Sequence, residues 1–170
     1  MRLTIHRGTK EIGGTCIEFQ SNNSRIIADL GIPLVFGGKD QPFDSGVLEK
    51  KSARQLLKAG ILPAVEGLYA GSEPSVDAVL ISHSHLDHYG LLRYIHPDIP
   101  IFLSQGARNL IEISDIFTPH RTGKLNSRIV RNNKKFRIGE FEIMPFLVDH
   151  SAFDAMAYLI KDNKKRVFYS

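Results

Sequence analysis

The sequence predicts an α/β fold of layered sheets with helices on the outside, and three observations point there. Short apolar runs of strand length crowd the first thirty residues and then alternate with segments of helical spacing, a pattern suited to packed sheet and helix layers. Hydrophobic residues make up 42% of the chain and charged residues 24%, a balance of a folded rather than a disordered protein. A length of 170 residues suffices for one domain with its own core, so residues 1–170 are expected to form a single domain.

Residues 2–6 and 15–19 are predicted strands, with a turn at Glu11-Ile-Gly-Gly14 between them. Arg25-Ile-Ile-Ala-Asp-Leu30 is a third strand, broken by Gly31-Ile-Pro33. Residues 34–46 are Gly-rich and loop-like. Residues 47–59 carry Val47, Leu48, Ala53, Leu56 and Leu57 at helical spacing, and Gly60 suits the C-terminal stop of that helix. Residues 61–75, with two Pro and two Gly, are expected to be an ordered loop. A strand follows at 77–82, then a polar loop and a short helix from about Asp87 to Ile95. Ile101-Phe-Leu103 is a strand, and Ser104 is a good N-cap for a helix over 105–116. Further strands are predicted near 136–138, 141–148, 155–160 and 165–170.

Several function classes drop out on composition. The single cysteine, Cys16, permits no internal disulfide and sits in an apolar run, as a core residue would. The N-terminus lacks the uninterrupted apolar segment of a secretory signal, and no stretch reaches membrane-spanning length. A reducing cytoplasm is therefore the expected compartment, with no membrane partner. A net charge of +4 and a pI near 9.2 permit a polyanionic partner without requiring one. Phe36-Gly-Gly38 is not a phosphate-binding loop: Lys39 follows it, but Asp40 stands where Ser or Thr is needed.

The most informative run is Ile81-Ser-His-Ser-His-Leu-Asp-His-Tyr-Gly90, where His83, His85, Asp87 and His88 fall within six residues directly after an apolar strand. Imidazole nitrogens and carboxylate oxygens are ligands for zinc, iron and manganese. A strand that ends in a sharp loop can turn such side chains toward one point. The chemistry expected of that arrangement is a metal-activated water attacking an ester or phosphodiester. A polar turn with surface histidines accounts poorly for three His and one Asp in this order. His6, His96 and His120 have no ligand spacing and are simplest as surface or packing residues.

The order His-x-His-x-Asp-His resembles the signature of the metallo-β-lactamase superfamily. The resemblance implies an αβ/βα sandwich, of which this chain corresponds to the N-terminal half. It implies that His83 and His85 hold a first metal, that Asp87 and His88 belong to a second, and that Asp87 orients the nucleophilic water. His150, after Phe146-Leu-Val-Asp149, matches the family's next metal-binding His and completes a three-His set, although a lone His at a strand end is commonly structural. Asp29, at the end of the third strand, matches a family Asp expected to support the ligand loop by hydrogen bonds rather than to bind metal. A strand-end cap is the competing role. Zinc is the implied cofactor, one or two ions, with manganese or iron as alternatives. The family's bridging Asp and last His find no counterpart before Ser170, so the expectation is a chain cut inside its fold, with an incomplete second site and a tendency to homo-oligomerise.

Within that superfamily, Gly13-Gly14 after Lys10-Glu-Ile12, Ala28-Asp-Leu-Gly-Ile32, Asp87-His-Tyr-Gly-Leu-Leu92 and His150-Ser resemble the ribonuclease J-like, β-CASP RNA-processing branch. This implies a metal-dependent ribonuclease acting on RNA phosphodiesters in the intact protein. A thioester or lactone hydrolase is the alternative enzyme, and a catalytically inert fragment that folds by oligomerisation the alternative outside enzymes. A basic run holds Arg121, Lys124, Arg128, Arg131, Lys134, Lys135 and Arg137 with no acidic residue among residues 120–137. It could track phosphates or be a solvated loop. Phe136 is its only aromatic residue, so base stacking within it is not indicated.

Overall fold

The computed structural model describes residues 1–9, 11–35 and 42–170. Lys10 and the Phe36-Gly-Gly38, Lys39 and Asp40 segment lie outside the described residues. Ten strands are described, β1 (Arg2–Arg7), β2 (Cys16–Gln20), β3 (Arg25–Ala28), β4 (Ala78–Leu80), β5 (Ile101–Ser104), β6 (Ser127–Val130), β7 (Phe136–Ile138), β8 (Phe141–Leu147), β9 (Met156–Lys161) and β10 (Arg166–Tyr169). The helices are α1 (Val47–Lys50), α2 (Ala53–Lys58), α3 (Leu86–Tyr89) and α4 (Gln105–Phe117), with a 3₁₀ turn at Leu92–Tyr94.

Two sheets form. The first has the order β1-β2-β3-β4-β5-β6, antiparallel through β3 and parallel from β3 to β6. The second is antiparallel, in the order β10-β9-β8-β7. Successive side chains on a strand point to opposite faces, and the central strands of the first sheet bury both. Ile26, Ala28, Ala78 and Leu80 face the second sheet, where they meet Phe141, Ile143, Tyr158 and Ile160. Ile27, Val79 and Ile81 face the other way, into a core shared with Leu56, Leu91, Ala107 and Ile111 of the helical layer. Burial on both faces is why β3 and β4 read as near-continuous apolar runs. Cys16 is fully buried, and burial pushes its thiol up to about 12, so it is a packing residue.

The helix expected over 47–59 is two helices. Lys51 is extended, and Ser52 caps α2 by accepting from the Gln55 N–H while the Gln55 side chain accepts from the Ser52 N–H. Gly60 follows with positive φ, as a C-terminal stop requires. β6 falls inside the basic run, where no strand is predicted. It pairs in parallel with β5, and only Val130 of its four residues is buried.

Ser104 starts α4 as expected. Its hydroxyl accepts from the Ala107 N–H at 3.1 Å and donates to the Asp154 carbonyl at 2.7 Å, and the residue is fully buried. Ser104→Ala should therefore cost about 1–2 kcal/mol, since it removes a helix cap and leaves a carbonyl unpaired. Urea denaturation measures this, and an unchanged midpoint would show that neither bond matters.

Candidate metal centre

Parallel strands β3 to β6 all end at the same edge of the first sheet, and the segments after β3 and β4 emerge together there. β4 ends at Leu80, and the Ile81 N–H donates to Phe102 of β5, so the chain is held until it turns at Ser82. His85 then occupies the N-cap of α3, whose first turn carries Asp87. The helix backbone is gripped by the segments beside it. The Ile32, Thr15 and Leu30 N–H groups donate to the carbonyls of Leu86, Asp87 and His88 at 3.0, 3.2 and 2.8 Å. His150 arrives from the second sheet, in a turn after β8 that the Val148 N–H closes onto the Ala155 carbonyl.

These elements bring three imidazoles together. Nε2 of His83 lies 3.1 Å from Nδ1 of His85 and 3.2 Å from Nε2 of His150. Among the described residues these three form the group whose ligand atoms all lie within 4.8 Å of one another. Nitrogens bound tetrahedrally at about 2.0–2.1 Å from zinc stand roughly 3.3–3.4 Å apart, so the two spacings from His83 are close to those of a metal of that size. His83 is buried, His85 half-buried and His150 exposed, so the site opens outward on the His150 side. Asp87 and His88 stand beside the three, with a carboxylate oxygen 3.5 Å from His88 Nε2. An open cleft of about 330 Å³ adjoins the site, walled by Ser82, His83, His88, His150, Met156 and Phe168.

Asp29 is fully buried behind Ser82 and His88, with a positive φ of 56°, a conformation that Asp tolerates better than most residues. Its Oδ1 accepts from the Ser82 N–H at 2.8 Å. Its Oδ2 accepts from the Ser82 hydroxyl at 2.7 Å, from His88 Nδ1 at 2.7 Å and from the Tyr169 hydroxyl. Burial, reinforced by His88, pushes the His83 imidazole down to about 4. Burial acts the same way on His88, but the hydrogen bond and charge of Asp29 outweigh it and raise that imidazole. Burial and the same carboxylate raise the Tyr169 phenol, which stays a donor.

None of the basic run belongs to the group of three histidines. Arg121, Lys124, Arg128, Arg131, Lys134 and Lys135 are all exposed. Lys135 pairs with Glu142 at 3.4 Å. Arg131 follows β6 at the site's edge of the sheet, whereas Lys124 precedes the strand at the opposite edge. The turn between them and β7 is tied to β8, with the Asn132 side chain accepting from the Leu147 N–H at 3.0 Å. Phe136 stacks on Phe102 and is spent on packing. His6 pairs with Glu18 at 2.7 Å and is not part of the cluster. Ser82, Tyr169 and Phe168 went unnoticed in the sequence. Ser82 is signalled only by its place before His83, and Tyr169 by nothing local.

With this geometry in view, similarity to known proteins becomes specific. The family described as Beta-lactamase superfamily domain matches residues 58–170. The chain belongs to the metallo-β-lactamase superfamily. Its fold is shared with a metallo-β-lactamase of Cronobacter sakazakii bearing a HARLDQ motif (TM-score 0.61, 11% identity, 96% of this chain and 57% of that one). It is also shared with a protein of unknown function from Enterococcus faecalis (TM-score 0.79, 22% identity, 98% and 42%). Curated relatives of this superfamily member include the transcription termination factor FttA of Methanothermobacter thermautotrophicus, 31% identical over 126 residues, 71% of this chain and 17% of that protein. Ribonuclease J of Mycobacterium tuberculosis is 27% identical over 170 residues, 94% of this chain and 26% of that protein. The chain thus spans about a sixth to a quarter of the length of these two relatives.

Proposed function

We propose that this chain carries the metal-binding part of a metal-dependent hydrolase, and that the intact protein cleaves RNA phosphodiesters in the cytoplasm. The observation that carries the metal reading is the convergence of the His83, His85 and His150 ring nitrogens at one edge of the sheet, beside an open cleft. His83, His85 and His150 would hold a divalent cation there, zinc or alternatively manganese or iron, whose charge would make a water acidic near neutral pH and offset charge developing on a substrate oxygen. His88, which lines the same cleft, and Asp87, 3.5 Å from its Nε2, would orient the attacking water and contribute ligands to a second ion. RNA as substrate draws its support from the names of the ribonuclease J relatives and from the exposed basic run. Cleavage of end-labelled single-stranded RNA by the metal-loaded protein, abolished by His85→Ala, is the test. Thioester or lactone hydrolysis without RNA cleavage would replace the substrate class and keep the metal chemistry.

RNA binding should also weaken as salt rises, because phosphates neutralised by Arg and Lys release counterions. Replacing Arg128, Arg131, Lys134 and Lys135 by Ala should lower affinity and reduce the slope of log K against log salt by about 0.7 for each single-strand phosphate no longer neutralised. Metal content should stay unchanged, since none of these residues belongs to the histidine cluster. An unaltered slope would make the run a solvated surface.

A further inference from the structure

We infer that Ser82 is a positioning residue: its hydroxyl fixes His83 in the one neutral tautomer that turns a lone pair toward His85 and His150. A hydroxyl has one proton to give and can accept in return, whereas a carboxylate only accepts. The Ser82 proton goes to Asp29 Oδ2 at 2.7 Å. His83 Nδ1, 2.9 Å from the same hydroxyl, must then be the donor of that second bond. With its proton on Nδ1, a neutral His83 has its lone pair on Nε2, the atom nearest both His85 and His150. Asp29 enforces the direction of this chain of bonds. The Ser82 N–H holds its Oδ1 at 2.8 Å, and Tyr169, arriving from β10, donates to Oδ2. Neither oxygen is left free to swing away from the Ser82 hydroxyl. The same carboxylate accepts from His88 Nδ1 at 2.7 Å, so His88 is set in the same tautomer with Nε2 toward Asp87. Groups behind a metal ligand commonly set its tautomer and basicity, and losing one typically lowers metal affinity 10–100-fold.

The tautomer follows from the hydrogen bonds alone; its purpose rests on the metal reading of the three histidines. Long-range ¹H–¹⁵N correlation on the metal-free protein at pH 8.5 reads each ring directly. His83 and His88 should both show the proton on Nδ1, and a His83 proton on Nε2 overturns the inference whatever any variant does. Ser82→Ala should leave His83 a mixture of tautomers and lower zinc affinity, measured against a competing chelator, by about 10–100-fold. Ser82→Thr, which keeps the hydroxyl, should restore both. If Ser82→Ala does not fold, Ser82→Cys takes its place, since it keeps the volume and loses the strong acceptor. A removed hydroxyl that leaves tautomer and affinity unchanged sinks the proposal. A wild-type protein with the expected tautomers and no affinity for zinc would instead reject the metal reading and leave the hydrogen-bond inference standing.

Discussion

His83→Ala should reduce zinc affinity by more than about 100-fold, beyond the range typical of losing a group behind a ligand. His83 is the middle member of the three: its Nε2 lies 3.1 Å from one partner nitrogen and 3.2 Å from the other. Removing it leaves His85 and His150, from different sheets, with no third nitrogen between them. Burial also keeps this imidazole neutral down to about pH 4, so protons compete with a metal for it less than for an exposed histidine. Stability should change far less than affinity, because the substitution removes chiefly the Ser82 bond and ring packing. Competition with a chromophoric chelator gives the affinity, and circular dichroism with denaturant gives the stability. His120→Ala is the control, since its ring lies outside the cluster. A His83→Ala protein that binds zinc as tightly as wild type would remove the metal centre from consideration.

How much of this was legible in the sequence depends on how local each signal is. β3 and β4 are plain because each buries both faces, which writes an unbroken apolar run into Ile26-Ile-Ala28 and Ala78-Val-Leu80. His83, His85, Asp87 and His88 are plain because one loop carries them all. His150 is reached from sequence only through resemblance, since 67 residues separate it from His83. β6 was invisible for a physical reason. It is a sheet edge of four residues, Ser-Arg-Ile-Val, with one buried side chain, so neither alternation nor apolar content marks it. The division of α1 from α2 turns on the extended backbone of Lys51 and a cap at Ser52, within an apolar spacing that continues across both helices. The Tyr169–Asp29 bond joins residues 140 apart and leaves no pattern in either neighbourhood.

Gly31→Ala should cost more than about 3 kcal/mol of stability and weaken the metal centre with it, although Gly31 touches no ligand side chain. A Cβ added there would lie 1.6 Å from the Asp87 carbonyl oxygen, 1.9 Å from its carbon and 2.5 Å from the His88 nitrogen. Those are backbone atoms, so no rotamer change relieves the clash. They cannot retreat alone either. The segments on each side of Gly31 are bonded to α3 through Leu30 N–H to His88 and Ile32 N–H to Leu86, and Thr15 donates to the same Asp87 carbonyl. Relief requires α3 to move away from the end of β3 by more than an ångström, breaking several of these bonds together. Because His85 is the N-cap of α3 and the helix carries Asp87 and His88, that shift displaces the His85 Nδ1 that stands 3.1 Å from His83 Nε2. The packing that seats the helix is therefore the same packing that sets the site. Gly123→Ala is the informative control: it has positive φ but nothing within 4 Å, so it incurs only backbone strain of about 1 kcal/mol. Urea denaturation and chelator competition on both variants test the claim. Gly31→Ala within 1 kcal/mol of wild type, with zinc affinity intact, would mean that the helix yields without disturbing the histidines, and the coupling of fold to site at this close approach would be wrong.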